Sequence, residues 1–318
     1  MSALFACGDE LLLCSLLVMT KSFVASLIFV ALAIPAPAAV AAPAPLILKP
    51  TSAWQVNYAF ERCRLARQFG EGKQTVFLIM DRFAPTDSFR LTISGQPVKT
   101  FVEKGDADIQ FGPREEEQQL AFLKGNLDKQ PALILSGSAR IAPPSAAELL
   151  AIKNREKREG VVVEPISEDR QKAVRHLRVG KPLRKPVMLE TGSMRAPLAA
   201  LDTCIDNLLI SWGVDVEKHK TLSRTVTPLK SPDKWIMSSD YPNEMLSAGQ
   251  PALVSFRLSI EPDGVPTACH IQATTRPKEF DNAVCKSVMR RARFSPALDA
   301  QGQPLASYYQ NNVYFALP

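Results

Sequence analysis

Any chemistry in this chain must come from a serine near a lysine, three histidines or the cysteines. Ser231-Pro232-Asp233-Lys234 has the Ser-x-x-Lys spacing in which a lysine at a helix start activates a serine for acyl transfer. Prolines surround it here, and no Ser-Asp-Asn or Lys-Thr-Gly follows to complete such a site. His176, His219 and His270 are scattered, and the alternation around His270 places it on the solvent face of a strand. The chain holds no Gly-x-Ser-x-Gly, no Asp-Thr-Gly, no phosphate-binding glycine loop and no His-Glu-x-x-His. The sequence therefore assigns no catalytic, cofactor-binding or metal-binding residue, and the reading is that the protein is not an enzyme.

The elements are clearest in the last eighty or so residues. Val254, Phe256, Leu258 and Ile260 share one face of a run whose other face carries Ser255, Arg257 and Ser259, the pattern of a half-buried strand. Glu261-Pro262-Asp263-Gly264 is a turn, because proline presets its first angle and glycine accepts positive φ. Val265 to Ile271 alternates again, so the two runs form a hairpin. Phe280, Val284 and Val288 then recur at helical spacing, which predicts an amphipathic helix of about three turns with Arg290, Arg291 and Arg293 on its exposed side. Val313, Phe315 and Leu317 alternate in a closing strand, and the order is ββαβ.

Upstream, Trp54 to Tyr58, Thr75 to Met80, Phe89 to Ile93, Ala132 to Leu135, Val174 to Val179 and Val187 to Leu189 read as strands. Leu201, Cys204, Ile205, Leu208 and Trp212 form one stripe of a helix from Leu198 to Trp212, with Gly213 as its stop. A further helix over 145–160 ends in mixed charge. Arg175, Arg178, Lys181, Arg184 and Lys185 make the densest positive patch, read as a solvated loop. The fold class is α+β: a β-rich N-terminal domain with a C-terminal helix, followed by a small ββαβ domain. The boundaries are a signal peptide over 1–41, a linker over 42–50, a β-rich domain over 51–232 and the small domain over 233–318.

The signal-peptide reading rests on Met19, Lys21, the apolar run Phe23 to Ile34 and the small residues Ala39-Val40-Ala41. Asp9 and Glu10 have the wrong charge for its start, which places the true start at Met19. The rival is an uncleaved inner-membrane anchor, but Pro35 and Pro37 interrupt the apolar run short of the ~20 residues a span needs. Removal of the leader takes Cys7 and Cys14 with it and leaves Cys63, Cys204, Cys269 and Cys285. Cys269 on the hairpin and Cys285 on the helix above it are the natural pair, and Cys63 with Cys204 follows by elimination. The alternative is four buried thiols; a free, reactive Cys63 or Cys204 would instead point to a periplasmic enzyme with its site in the β-rich domain.

Tyr241-Pro242, the Gly249 turn, the Pro262-Asp263-Gly264-Val265 hairpin, Arg293-Phe294-Ser295-Pro296-Ala297 and Gly302 before the last strand together resemble the TonB C-terminal domain. The resemblance implies a protein-binding module that takes an extended segment of an envelope protein or outer-membrane receptor by strand addition along Tyr308 to Leu317. Gln310, Asn312 and Tyr314 would face outward and select the partner's side chains. The alternative is an energy transducer in TonB-dependent outer-membrane transport; Ser22 is followed by Ser26 where that role uses a histidine. The net charge of +6 is spread along the chain and interleaved with acids, which does not mark a nucleic-acid partner. The chain is expected in the periplasm.

Overall fold

A computed structural model describes residues 43–135, 139–146, 150, 165–275 and 277–316. The signal peptide, its cleavage site, most of the helix over 145–160 and the facing of Leu317 lie outside the described residues. Ten strands form one large sheet: β1 (Leu46–Leu48), β2 (Gln55–Ala59), β3 (Arg62–Phe69), β4 (Val76–Arg82), β5 (Arg90–Ser94), β6 (Lys104–Gly112), β7 (Gln118–Leu127), β8 (Gln130–Leu135), β9 (His176–Val179) and β10 (Val187–Leu189). Their order across the sheet is β1-β10-β9-β6-β7-β8-β5-β4-β3-β2. Asp128 and Lys129, both at positive φ, make the two-residue turn between β7 and β8, the geometry that matches strand twist.

Period-two burial explains why these segments are strands. Leu65, Leu78, Met80, Leu91, Ile93, Ile109, Phe111, Leu177 and Leu189 each lie fully buried in one core. The sheet curls until its first strand meets its third: Gly70 N–H donates to Lys49 O at 2.8 Å and Thr51 N–H to Gln68 O at 2.9 Å. Leu46–Leu48, read from its alanine and proline surroundings as linker, is thus a sheet strand with Leu48 in the core. Its apolar residues find a partner in β10, more than a hundred residues away, which composition does not reveal.

Helix α1 (Glu168–Ala173) is capped by Ser167, whose Oγ accepts from Arg170 N–H. Helix α2 (Arg195–Ser211) buries Leu198, Leu201, Cys204, Ile205, Leu208 and Leu209 against the sheet. The Cys63–Cys204 disulfide ties it to β3, with Cα atoms 5.9 Å apart. Helix α3 (Val216–Lys220) follows, then β11 (Thr227–Pro228), helix α4 (Asn243–Ser247), β12 (Ala252–Ile260), β13 (Pro266–Thr274), helix α5 (Lys278–Arg291), the short strands β14 (Phe294–Ser295), β15 (Ala297–Leu298) and β16 (Pro304–Leu305), and β17 (Ser307–Phe315). β13, β12 and β17 form a three-stranded antiparallel sheet in that order. Phe280, Val284 and Val288 of α5 pack with Val254, Phe256, Leu258 and Phe315 in a second core. Cys269–Cys285 joins β13 to α5, Cα to Cα 5.5 Å. Gly264 takes φ +81° in the hairpin turn, where a Cβ would stand 1.9 Å from Phe294 O. The segment before Asp233 is paired as well, β11 lying antiparallel to β14.

Candidate functional site: the last strand's open edge and the polar face behind it

β12 is not a half-buried strand. Its apolar face meets α5 as expected, but Ser255 and Arg257 on the opposite face are only 4% and 3% exposed, because that face lies against the large sheet. Arg257 Nε and Nη2 donate to the two Glu61 carboxylate oxygens at 2.9 Å each, and its guanidinium sits 4.1 Å over the Trp212 ring. Trp212 Nε1–H in turn donates to Phe60 O at 3.1 Å, and Gln272 Nε2 to Glu61 O at 3.2 Å. A face written in serine and arginine is satisfied here by fixed partners instead of water, the condition under which buried polar groups are tolerated.

His270, expected on a solvent face, points the same way, its Nδ1 3.5 Å from Glu61 Oε1. Burial, and the charge on Arg257, lower its pKa. Tyr308 stacks on His219 and meets Trp212 edge-on, while His219 Nε2 lies 2.9 Å from Ser307 Oγ. Burial pushes the Tyr308 hydroxyl pKa well up. The side chains expected outward on β17 divide. Gln310 Nε2 donates to Phe83 O at 2.5 Å and Asn312 Oδ1 accepts from Ser255 Oγ, so both face the large sheet; Tyr314 is 53% exposed.

β17 keeps one edge unpaired, since no strand among the described residues lies beyond it. Its nine residues pair with β12 in unbroken register, and Asn312 N–H donates sideways to Asn311 Oδ1 at 2.8 Å, marking it as a donor on the open side. The opposite edge, on β13, is interrupted twice by register shifts against β12, irregularity of the kind that discourages strand pairing. Beside the β17 edge runs a groove of about 260 Å³ lined by Pro232, Trp235, Ile236 and residues 311–314. Trp235 is 2% exposed, and its Nε1–H has no hydrogen-bond partner among the described residues.

Sequence reasoning placed Arg291 on an exposed helix face, yet it pairs with Asp240. Arg291 Nη2 donates to Asp240 Oδ1 at 3.1 Å and Nη1 reaches both Asp240 Oδ2 and Trp235 O. That pairing, above all, pulls the Asp240 carboxyl down to about 2. Arg293 caps the helix end through Ala292 O at 2.6 Å, consistent with a cation serving the negative end of the helix dipole. Ser231 and Lys234 do not form a nucleophile pair; Lys234 Nζ lies 3.4 Å from Asp233 on an exposed turn. Glu61, Arg90 and Trp235 were not singled out from sequence, because none has a local motif and their polar partners Arg257, Ser255 and Arg291 lie 196, 165 and 56 residues away.

The geometry is that of a small sheet-and-helix module with one open strand edge, mounted on a larger β structure. Residues 237–317 match the family described as the Gram-negative bacterial TonB protein C-terminal, so this module is TonB-like. The match leaves the ten-stranded sheet unassigned, and no curated protein matches the chain. Among the described residues no helix is long and apolar enough to cross a membrane.

Proposed function

We propose that this is an exported, non-catalytic binding protein of the periplasm that takes an extended segment of another envelope protein as a fourth strand alongside β17. The carrying observation is the continuous edge of β17, unpaired among the described residues, with a groove beside it. Such an edge supplies main-chain hydrogen bonds, and side-chain pockets on its two faces supply selectivity. The disulfides fit an oxidising compartment. Tyr314, exposed at the end of this edge, and Asn312, whose amide points along it, are the contact residues on this reading.

Proline removes an amide donor and cannot extend the ladder, so Asn312→Pro abolishes binding of a fluorescein-labelled nine-residue peptide of alternating valine and threonine, followed by anisotropy. Asn312→Ala weakens it only modestly. Unchanged affinity for the proline variant, with circular dichroism and both disulfides as in the wild type, rules out this edge.

A further inference from the structure

The side chain of Arg90 carries a charge that no ion pair neutralises among the described residues. It projects from β5 into a cavity of about 230 Å³ between the large sheet and the module, lined by Phe83, Phe89, Ser255, Gln272, Gln310 and Asn312. Arg90 is the only charged residue in that lining. Its guanidinium lies 5.1 Å over the Phe83 ring and Nη2 donates to Ser255 Oγ at 2.5 Å. Nε and Nη1 have no hydrogen-bond partner among the described residues. Asp81, the carboxylate whose charge acts on it, is already taken by Arg64 at 2.7 and 2.9 Å, with Arg62 at 3.7 Å. Burial lowers the Arg90 pKa, with Asp81 opposing and Arg62 reinforcing. A half-buried guanidinium facing a cavity, its Nε–H or Nη1–H lying beside the second Nη2 hydrogen, is suited to a planar carboxylate, which it binds through two parallel N–H donors. The neighbouring amides add donors: Asn312 Oδ1 is occupied by Ser255, leaving its Nδ2 free.

The position of this cavity connects it to the β17 edge. Asn311 and Asn312 line both it and the groove beside Trp235, so the two hollows lie on opposite faces of one edge. Side chains of an added strand alternate between faces, and those opposite Gln310 and Asn312 stand about 5 Å from them, at the mouth of the Arg90 cavity. We infer that the segment recognised by β17 is an acidic one: it places a glutamate or aspartate carboxylate against Arg90 on the large-sheet face and apolar side chains toward Trp235 on the other. The large sheet thereby contributes to selectivity through a residue outside the TonB-like module. This rests on the strand-addition reading.

The test uses the full mature chain at 0.15 M salt and two labelled nine-residue peptides of alternating valine and threonine, one with glutamate and one with glutamine at the central threonine position. The glutamate peptide is expected to bind the wild type about tenfold tighter. Arg90→Gln removes that preference while leaving affinity for the glutamine peptide unchanged, and Arg90→Lys, which keeps the charge but not the fork, retains part of it. Equal binding of the two peptides to the wild type overturns this inference alone. Binding of neither overturns the strand-addition reading together with it. A preference that survives in a folded Arg90→Gln variant also overturns it, assigning the selectivity to the overall positive charge.

Discussion

Arg257→Met tests whether the polar face of β12 is an internal joint. The substitution keeps side-chain volume near Trp212 but leaves the Glu61 carboxylate, 18% exposed, without its bidentate partner. The remaining nearby base is His270, whose Nδ1 lies 3.5 Å from Glu61 Oε1 and offers a single contact in place of the bidentate guanidinium. Removing one partner of a buried pair costs about 3–5 kcal/mol; partial exposure of Glu61 places the expected loss near the lower end, about 3 kcal/mol. Glu61→Gln strands the guanidinium, itself only 3% exposed, and is expected to cost a similar amount. The double variant removes both charges, and its cost falls about 2 kcal/mol or more below the sum of the singles. Urea unfolding of the protein, followed by tryptophan fluorescence, measures the cycle, with Trp212 reporting directly because the guanidinium lies 4.1 Å above it. A loss under about 0.5 kcal/mol for Arg257→Met, the size of an ordinary surface change, refutes the reasoning, as does additivity within the same margin.

Replacing both cysteines of a bridge by alanine is expected to cost about 5 kcal/mol for Cys63–Cys204 and about 3 for Cys269–Cys285, because they close loops of separation 141 and 16. The reverse ranking in urea unfolding would contradict a loop-entropy origin. Asp240 has its folded-state pKa depressed from 3.8 to about 2, so its pairing with Arg291 stabilises fully above about pH 5 and is lost as pH falls through 2. The melting-temperature gap between wild type and Asp240→Asn should accordingly be constant near neutrality, narrow below pH 4 and close near pH 2. Gly264→Ala must displace the Phe294 carbonyl, 1.9 Å from the new Cβ, at an expected cost above about 2 kcal/mol. Thermal unfolding indistinguishable from wild type would mean the turn relaxes freely.

The small module was legible because its signals are local. The alternation of Val254, Phe256, Leu258 and Ile260, the Asp263-Gly264 turn and the Phe280, Val284, Val288 stripe each fix an element from neighbouring residues alone, and the structure places the seven apolar residues in the second core. The cysteines were legible for the same reason: Cys204 lies on an apolar helix stripe and Cys269 and Cys285 on facing elements. Strands β6 and β7 escaped notice, since Lys104–Gly112 and Gln118–Leu127 are rich in charge and amide groups whose apolar residues are spaced by glycine and aspartate. What periodicity cannot say is what covers a face. Ser255, Arg257, His270 and Gln310 carry the polar pattern of a solvent-facing side, and the same pattern serves a buried joint once Glu61, Trp212 and Phe83 supply its hydrogen bonds. Those partners lie 196 residues away for Glu61 and Arg257, and 227 for Phe83 and Gln310. Only the tertiary fold decides such contacts, because a polar side chain is satisfied equally by water or by a fixed partner, and its sequence reads the same in either case.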